Sequence, residues 1–337
     1  MTLDERIDGF SALKAKIEAL DNDQKEDLYF KASNTNPWFT NDSIDMALEG
    51  IKVFLEKKIL KNWTVNYDLP KNPSRIGIVM AGNIPLVGFH DFLCVLITGN
   101  TAVIKLSSQD SILLKTLVKM LIDINEEFQK QIEFVDTLPK VDAVIATGSD
   151  NSARYFKKYF SDKPHIIRKN RISIAILEGS ETEHNLELLG KDIFSYFGLG
   201  CRNVAKILIP EGYNMQKLLD SLQGYSDIAN HAKYFNNYEY NKAIYLVNQI
   251  SHLDTGFALF TENNNLTSPL SVIYYEEYKN KEHLNNILDN YSEKLQCIVS
   301  NAKVDKPTVP LGQAQFPEIN DYADNVDTME FLCSLDA

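Results

Sequence analysis

From Arg75 onward, short β-branched runs alternate with helical stretches, and no other feature of the sequence restricts the fold as much. The runs cover residues 76–80, 89–98 and 101–105, then, after a helix over 110–127, residues 131–135 and 143–147. Strands alternating with helices specify an α/β fold, a parallel sheet covered by helices on both faces. Ligands of such open sheets collect at the carboxyl ends of the strands. Three of these ends are polar and compact: Ala81-Gly82-Asn83-Ile84-Pro85, Lys105-Leu106-Ser107-Ser108 and Thr147-Gly148-Ser149-Asp150. They are predicted to face one crevice. Neither a GxGxxG nor a Walker-type loop occurs, so the ordinary dinucleotide and P-loop fingerprints are absent.

Before this region, apolar residues recur at helical spacing, as in Ile7, Phe10, Leu13, Ile17 and Leu20, and residues 33–41 interrupt two helical stretches. Within the interruption, Asn36-Pro37-Trp38-Phe39-Thr40 reads as a helix-capping turn with a packed tryptophan rather than a binding site. Further on, a strand over 171–177 ends in Glu178-Gly179, and a helix lies between 183 and 197. A strand over 204–210, a helix over 214–222 and β-rich runs at 243–247, 256–260 and 270–275 suggest a second domain. The boundary is expected between 180 and 200.

At 337 residues the chain is long enough for two domains. Its net charge of -12 repels a phosphate backbone or an anionic membrane, which argues against nucleic acid as a partner. Helix N-termini and a few lysines can still hold a small anion. The cysteines at 94, 201, 297 and 333 show no CxxC or Cys/His spacing, so neither a disulfide framework nor a metal site is indicated, and a reducing compartment fits. The N-terminus is acidic and amphipathic, and no apolar run approaches the roughly 18 residues that span a bilayer. A soluble, cytoplasmic protein is the expectation.

Cys201 lies in Phe197-Gly198-Leu199-Gly200-Cys201-Arg202-Asn203, a glycine-flanked turn leading into the strand over 204–210. A thiol at the mouth of a strand, with glycines that admit a substrate, suits a covalent nucleophile. Local sequence supports a small buried hydrophobe equally well. Taken alone, Asn83 before Ile84-Pro85 reads as a turn residue, Lys105 as a surface lysine and Glu178 as a solvated carboxylate.

The order of motifs adds what each lacks singly. Asn83-Ile84-Pro85, Gly99-Asn100-Thr101-Ala102-Val103-Ile104-Lys105, Thr147-Gly148-Ser149, Leu177-Glu178-Gly179 and Gly200-Cys201 before a strand resemble the aldehyde dehydrogenase superfamily. Gly88-Phe89-His90-Asp91-Phe92-Leu93, Ile104-Lys105-Leu106-Ser107-Ser108-Gln109-Asp110, the Cys201 turn and Gly312-Gln313-Ala314-Gln315-Phe316-Pro317 are similar, more closely, to acyl-CoA reductases typified by the fatty acid reductase of bacterial luminescence. Asp321-Tyr322-Ala323-Asp324 and Asp327-Thr328-Met329 extend that likeness, which covers residue 72 to the end.

The resemblance implies an aldehyde dehydrogenase-like fold with two Rossmann-like parallel-sheet domains. Residues 1–70 would form a helical segment on the cofactor domain, 71–182 that domain, 183–305 the catalytic domain, and 306–337 a return to the cofactor domain or a subunit interface. A C-terminal strand over 329–335 would pair across subunits of a homo-oligomer, and an acyl-transfer protein would be a further partner.

It also implies NADPH-dependent reduction of an acyl-CoA, or another acyl thioester, to an aldehyde. Cys201 would be the nucleophile, and the Asn83 side chain with the Cys201 N–H would stabilise the oxyanion. Glu178 would be a general base, whereas the side chain of Arg202, next in sequence to the cysteine, is expected to point away from it rather than lower its pKa. Lys105 would hold the adenosine ribose, Gly148 and Ser149 the pyrophosphate at a helix start, with Gly179 also at the cofactor. Ser108 stands where NAD-preferring members carry an acid, and its neutral hydroxyl admits a 2′-phosphate. Asn265 stands where the family usually has a ribose-binding glutamate. His90 reads as structural. The alternatives are an aldehyde dehydrogenase making an acid, in which Glu178 activates water, and a silent acyl-binding or docking homologue.

Overall fold

The computed structural model describes residues 1–336. The N-terminal segment forms four helices where the sequence reading predicts two stretches: α1 (Leu3–Glu18), α2 (Asn22–Thr35), α3 (Asn41–Phe54) and α4 (Lys57–Thr64). The breaks before α2 and α3 come from side chains that capture the free N–H groups of the new helix, whereas α4 starts without such a cap. Thr2 with Glu5 and Asp21 with Gln24 form capping boxes, and Thr40 accepts from the Ser43 N–H. Phe10 meets Phe92 and Phe128 edge to face, with ring centroids 6.4 and 5.6 Å apart, so this segment shares one core with the sheet beside it.

That sheet is built from β1 (Arg75–Val79), α5 (Phe89–Ile97), β2 (Thr101–Lys105), α6 (Leu113–Ile124), β3 (Ile132–Phe134), β4 (Ala143–Thr147), α7 (Asp150–Tyr159) and β5 (His165–Arg168). Its five strands are parallel, in the order β3-β2-β1-β4-β5. The chain winds outward from β1 to β3, then crosses back to β4 and on to β5. The strand order therefore reverses between β1 and β4, and it is at the carboxyl ends of such a reversal that open α/β sheets take their ligands. Residues 89–98, grouped with the β-branched runs in the sequence reading, form a helix instead. Every residue of α5 except His90 is buried, and a helix enclosed on all sides loses the 3.6-residue pattern that would reveal it.

The second sheet comprises β6 (Ile172–Ile176), α8 (Glu183–Phe194), β7 (Val204–Pro210), α9 (Met215–Ser221), α10 (Ala232–Val247), β8 (Leu253–Asp254), β9 (Leu259–Glu262), β10 (Val272–Tyr278), α11 (Lys281–Tyr291) and β11 (Leu295–Val299). The order is β11-β6-β7-β10-β9-β8, parallel throughout except for β8. Residues 243–247, read as β-rich, are the last turns of α10. The buried positions Tyr234, Tyr238, Asn241 and Tyr245 follow helical spacing, which overrides local β propensity.

The chain divides into two compact units, Met1–Asn170 with the chain from Pro317 onward, and Arg171–Phe316. The boundary thus precedes the 180–200 region expected from sequence, because β6 pairs with β7 and β11 and belongs to the second sheet. After Pro317 the chain rejoins the first unit. Residues expected to form a strand over 329–335 form α12 (Thr328–Cys333), because Asp327 accepts from the Glu330 N–H at 2.9 Å and starts a helix. Met329 and Leu332 are fully buried in the first unit's core. Trp63 Nε1 donates to the Tyr322 hydroxyl at 2.7 Å, and buried Arg168 pairs with Asp91 and donates to Thr328 Oγ1 at 2.8 Å. No helix among the described residues is long and apolar enough to cross a membrane.

Candidate active site

In the first unit, β1 ends at Val79 and the chain turns through Gly82 to Asn83. A Cβ on Gly82 would lie 2.7 Å from Ser107 Oγ and 3.0 Å from the Asp110 nitrogen, so the loops after β1 and β2 touch. Lys105 closes β2 with its side chain exposed, and its carbonyl accepts the Met80 N–H at 3.1 Å. Ser108 follows, also exposed. Beyond β4, the Gly148 N–H donates to the Arg168 carbonyl at 3.3 Å. Ser149 then caps α7, its hydroxyl accepting the Ser152 N–H at 3.3 Å.

Asn83, Lys105, Ser108, Gly148 and Ser149 therefore lie at the carboxyl ends of β1, β2 and β4, on both sides of the strand-order reversal. This donor set fits a nicotinamide dinucleotide: an exposed lysine amine suits ribose hydroxyls and a capped helix start suits a pyrophosphate. Lys157 and Lys158 stand in the last turn of α7, at the end away from that anion position.

In the second unit, Cys201 is half-buried at the amino end of β7. The approach to it is strained: Tyr196 and Phe197 both adopt left-handed backbone, with φ of 50° and 59°, before Gly198 at 78°. Asn203, 3% exposed, over-determines this conformation. Its Oδ1 accepts the Gly200 N–H at 2.8 Å, while Nδ2 donates to the carbonyls of Asp192, Ile193 and Ser195 at 3.1, 3.2 and 2.7 Å. Asp192 in turn accepts the N–H groups of Gly312 and Ala314 at 2.6 and 2.9 Å, and burial pushes its carboxyl up to about 6. Arg202 Nη1 reaches the Ala314 carbonyl at 3.4 Å, so the guanidinium is directed at the C-terminal motif.

Beneath the turn, the fully buried Ser173 donates to the Cys201 carbonyl at 3.0 Å, accepts the Cys297 N–H at 3.3 Å, and has Oγ 3.0 Å from the Cys297 sulfur. The His231 ring lies 4.3 Å from the Phe197 ring, centroid to centroid, and its Nδ1 accepts the Tyr234 N–H at 3.3 Å. That acceptor role puts its proton on Nε2. Neither Asn203 nor His231 was singled out from sequence. Asn203 stood in view two residues after the cysteine, but nothing local marked it as a hub.

The pairing of Glu178 with Cys201 expected from sequence is not what the strand register gives. Ser173 sits opposite Val204 and Ile176 opposite Leu208 in parallel β6 and β7. Cys201 precedes the amino end of β7, whereas Glu178 follows the carboxyl end of β6. From Ser173, which touches the cysteine turn, Glu178 is five residues on, roughly 16 Å of strand. Glu178 is exposed, and its N–H and that of Gly179 donate to the Glu181 carboxylate at 2.6 and 2.9 Å. Both residues lie at the carboxyl ends of the strands of the second sheet, the end opposite the cysteine turn.

The loop holding Asn265 has its own anchor. Lys206 on β7 is fully buried, pairs with Glu276, and donates to the carbonyls of Asn263 and Asn265 at 2.9 and 3.2 Å and to the Tyr291 hydroxyl at 3.2 Å. Burial lowers the affinity of its amine for a proton, opposed by Glu276. His90 is structural: one ring nitrogen lies 2.7 Å from the Ile319 carbonyl, among the rings of Phe54, Trp63 and Tyr322.

The sequence pattern that defines the acyl-CoA reductase (LuxC) family matches residues 13–299. Among solved structures, aldehyde dehydrogenase 21 from Physcomitrella patens, in complex with the reaction product succinate, superposes with a TM-score of 0.71 at 11% identity, covering 99% of this chain and 84% of that one. Aldehyde dehydrogenase C from Pseudomonas syringae, complexed with NAD+ and octanal, gives 0.66 at 11% identity, with 90% and 73% covered. An aldehyde dehydrogenase from Mycobacterium tuberculosis complexed with NAD+ gives 0.63 at 13% identity, with 91% and 74% covered. The fold is thus that of aldehyde dehydrogenases, as the motif order implied. No curated protein sequence matches the chain.

Proposed function

The chain belongs to the acyl-CoA reductase (LuxC) family, and on that premise we propose that it reduces an acyl-CoA thioester to an aldehyde with NADPH, by way of an S-acyl group on Cys201. The observation that carries this reading is the braced turn at Cys201: a strained, half-buried thiol-bearing loop fixed by Asn203 from one side and Ser173 from the other. A core filler has no need of such bracing.

The Cys201 sulfur attacks the thioester carbonyl; a carbon–sulfur bond forms, and the tetrahedral oxyanion is held by the Cys201 N–H and, as the motif resemblance implies, by the Asn83 amide. Collapse breaks the bond to CoA, which leaves as a thiol after taking a proton, and the acyl group stays on the cysteine. Bound NADPH supplies the hydride that the acyl carbon requires. The resulting thiohemiacetal loses the Cys201 thiol, giving the aldehyde and restoring the enzyme. Lys105 serves the adenosine ribose, and Gly148 and Ser149 the pyrophosphate. Ser108, a neutral hydroxyl at the end of β2, leaves space for a 2′-phosphate.

Oxidation of an aldehyde to an acid is the weaker reading, since it needs an activated water and Glu178, its expected base, lies at the end of the second sheet's strands opposite the cysteine turn. Purified protein mixed with NADPH and a panel of acyl-CoAs should consume the reductant and release an equal amount of free CoA. Failure to consume it with any chain length overturns the proposal. Faster turnover with NADH than NADPH overturns the inference from Ser108.

A further inference from the structure

The loop that carries Asn83 is held by buried side chains from two other parts of the chain. From the end of α2, Asn36, 5% exposed, donates through Nδ2 to the Gly82 carbonyl at 3.3 Å. Its Oδ1 accepts the Trp38 N–H at 3.1 Å, which sets the amide plane so that the donor edge faces Gly82. The Gly82 carbonyl belongs to the peptide unit that leads into Asn83. Fixing that plane fixes the N–Cα bond of Asn83, from which its side chain departs.

On the other side, Asp110, 7% exposed, accepts the Leu86 N–H through Oδ2 at 2.8 Å. Leu86 has φ of 57°, a backbone state that a leucine keeps only where its surroundings impose it. The second carboxylate oxygen, Oδ1, is buried with no hydrogen-bond partner among the described residues. A buried carboxylate is poor packing material, and this one engages the backbone N–H groups of Leu86 in the Asn83 loop and of Leu113 at the start of α6.

We propose that Asn36 and Asp110 are positioning residues that preorganise Asn83, so that the N-terminal helical segment takes part in the acylation step. The proposal rests on Asn83 acting as an oxyanion donor. Preorganisation is where such donors gain their effect, because a displacement of an ångström already weakens them substantially.

The test is single-turnover release of CoA from an acyl-CoA that the panel shows to be used, without reductant, alongside NADPH affinity and the thermal midpoint. Asn36→Ala and Asp110→Ala should each slow the CoA burst on the order of tenfold, with NADPH affinity changed by less than about twofold. Asp110→Asn, which keeps an acceptor for the Leu86 N–H, should recover most of the rate. In an Asn83→Ala background, itself slower by ~10²–10³-fold, neither substitution should slow the burst further, because both act through Asn83. Equal losses in both backgrounds, or no loss in the singles, overturn the proposal. A wild-type burst from Asn83→Ala alone instead overturns the oxyanion reading beneath it. If Asp110→Ala does not fold, Asp110→Asn and Asn36→Ala carry the same comparison.

Discussion

The two units use opposite ends of their strands. In the first, Lys105 ends a strand, Asn83, Ser108, Gly148 and Ser149 follow the carboxyl ends of strands, and Ser149 caps the start of α7. In the second, Cys201 precedes the amino end of β7, reached from the carboxyl end of α8, where spare carbonyls outnumber donors. Those carbonyls are taken up by Asn203 instead of by a ligand. The rule that ligands gather at strand carboxyl ends therefore suits the proposed cofactor residues of the first unit and does not extend to Cys201, which lies at the opposite end of its strand. The pairing of Glu178 with Cys201 came instead from the family resemblance, which carries no information on register.

The contrast is open to test, most severely at its nucleophile. Cys201→Ala should lower turnover by at least ~10³-fold and remove the acyl adduct seen by intact-mass measurement; full activity would leave the second unit without its proposed role. Next comes the buried ion pair. Lys206→Ala leaves Glu276 without its cation and two carbonyls without a donor, so the second unit should lose about 3 kcal/mol in chemical denaturation while the first unit's transition stays in place. A single unchanged transition would show that the pair is not a stability element of that unit.

A smaller effect distinguishes the units by pH. Burial raises Asp110 in the first unit and Asp192 in the second to about 6. Their unfolded values lie near 3.9, so the native state binds the proton more tightly. The stability this gives is fully present below about 4 and is lost as pH rises through about 6. Asp192→Asn should flatten that fall for the second unit only, read as denaturation midpoints from pH ~4.5 to ~7. An unchanged slope would remove Asp192 from the titration. The smallest effect belongs to Glu178→Gln, which should hold kcat/KM within about twofold, since an exposed carboxylate roughly 16 Å along the strand has no reach to the thiol. A tenfold loss would return it to the site.

The strands of the first sheet were legible because β-branched runs and polar loop ends alternate at short intervals. What escaped was set by contacts that a single segment does not record. A helix enclosed by core, α5, carries no periodic signal, and the β-branched end of α10 follows a buried face that begins ten residues earlier. The start of α12 could have been read from Asp327 and Glu330, whose spacing is that of a helix cap. Cys201 and Glu178 were each correctly placed at a strand end. Which end, relative to the other, is a property of register, and register is fixed by pairing between segments far apart in sequence.

The return of the chain to its first unit bears on how the protein is made. Trp63 and Arg168 are synthesised early, yet their partners Tyr322 and Thr328 leave the ribosome after the whole of the second unit, as do the core residues Met329 and Leu332. The unit that begins first is finished last. During translation it waits with Met329 and Leu332 missing from its core and Arg168 short of one contact until the last residues arrive.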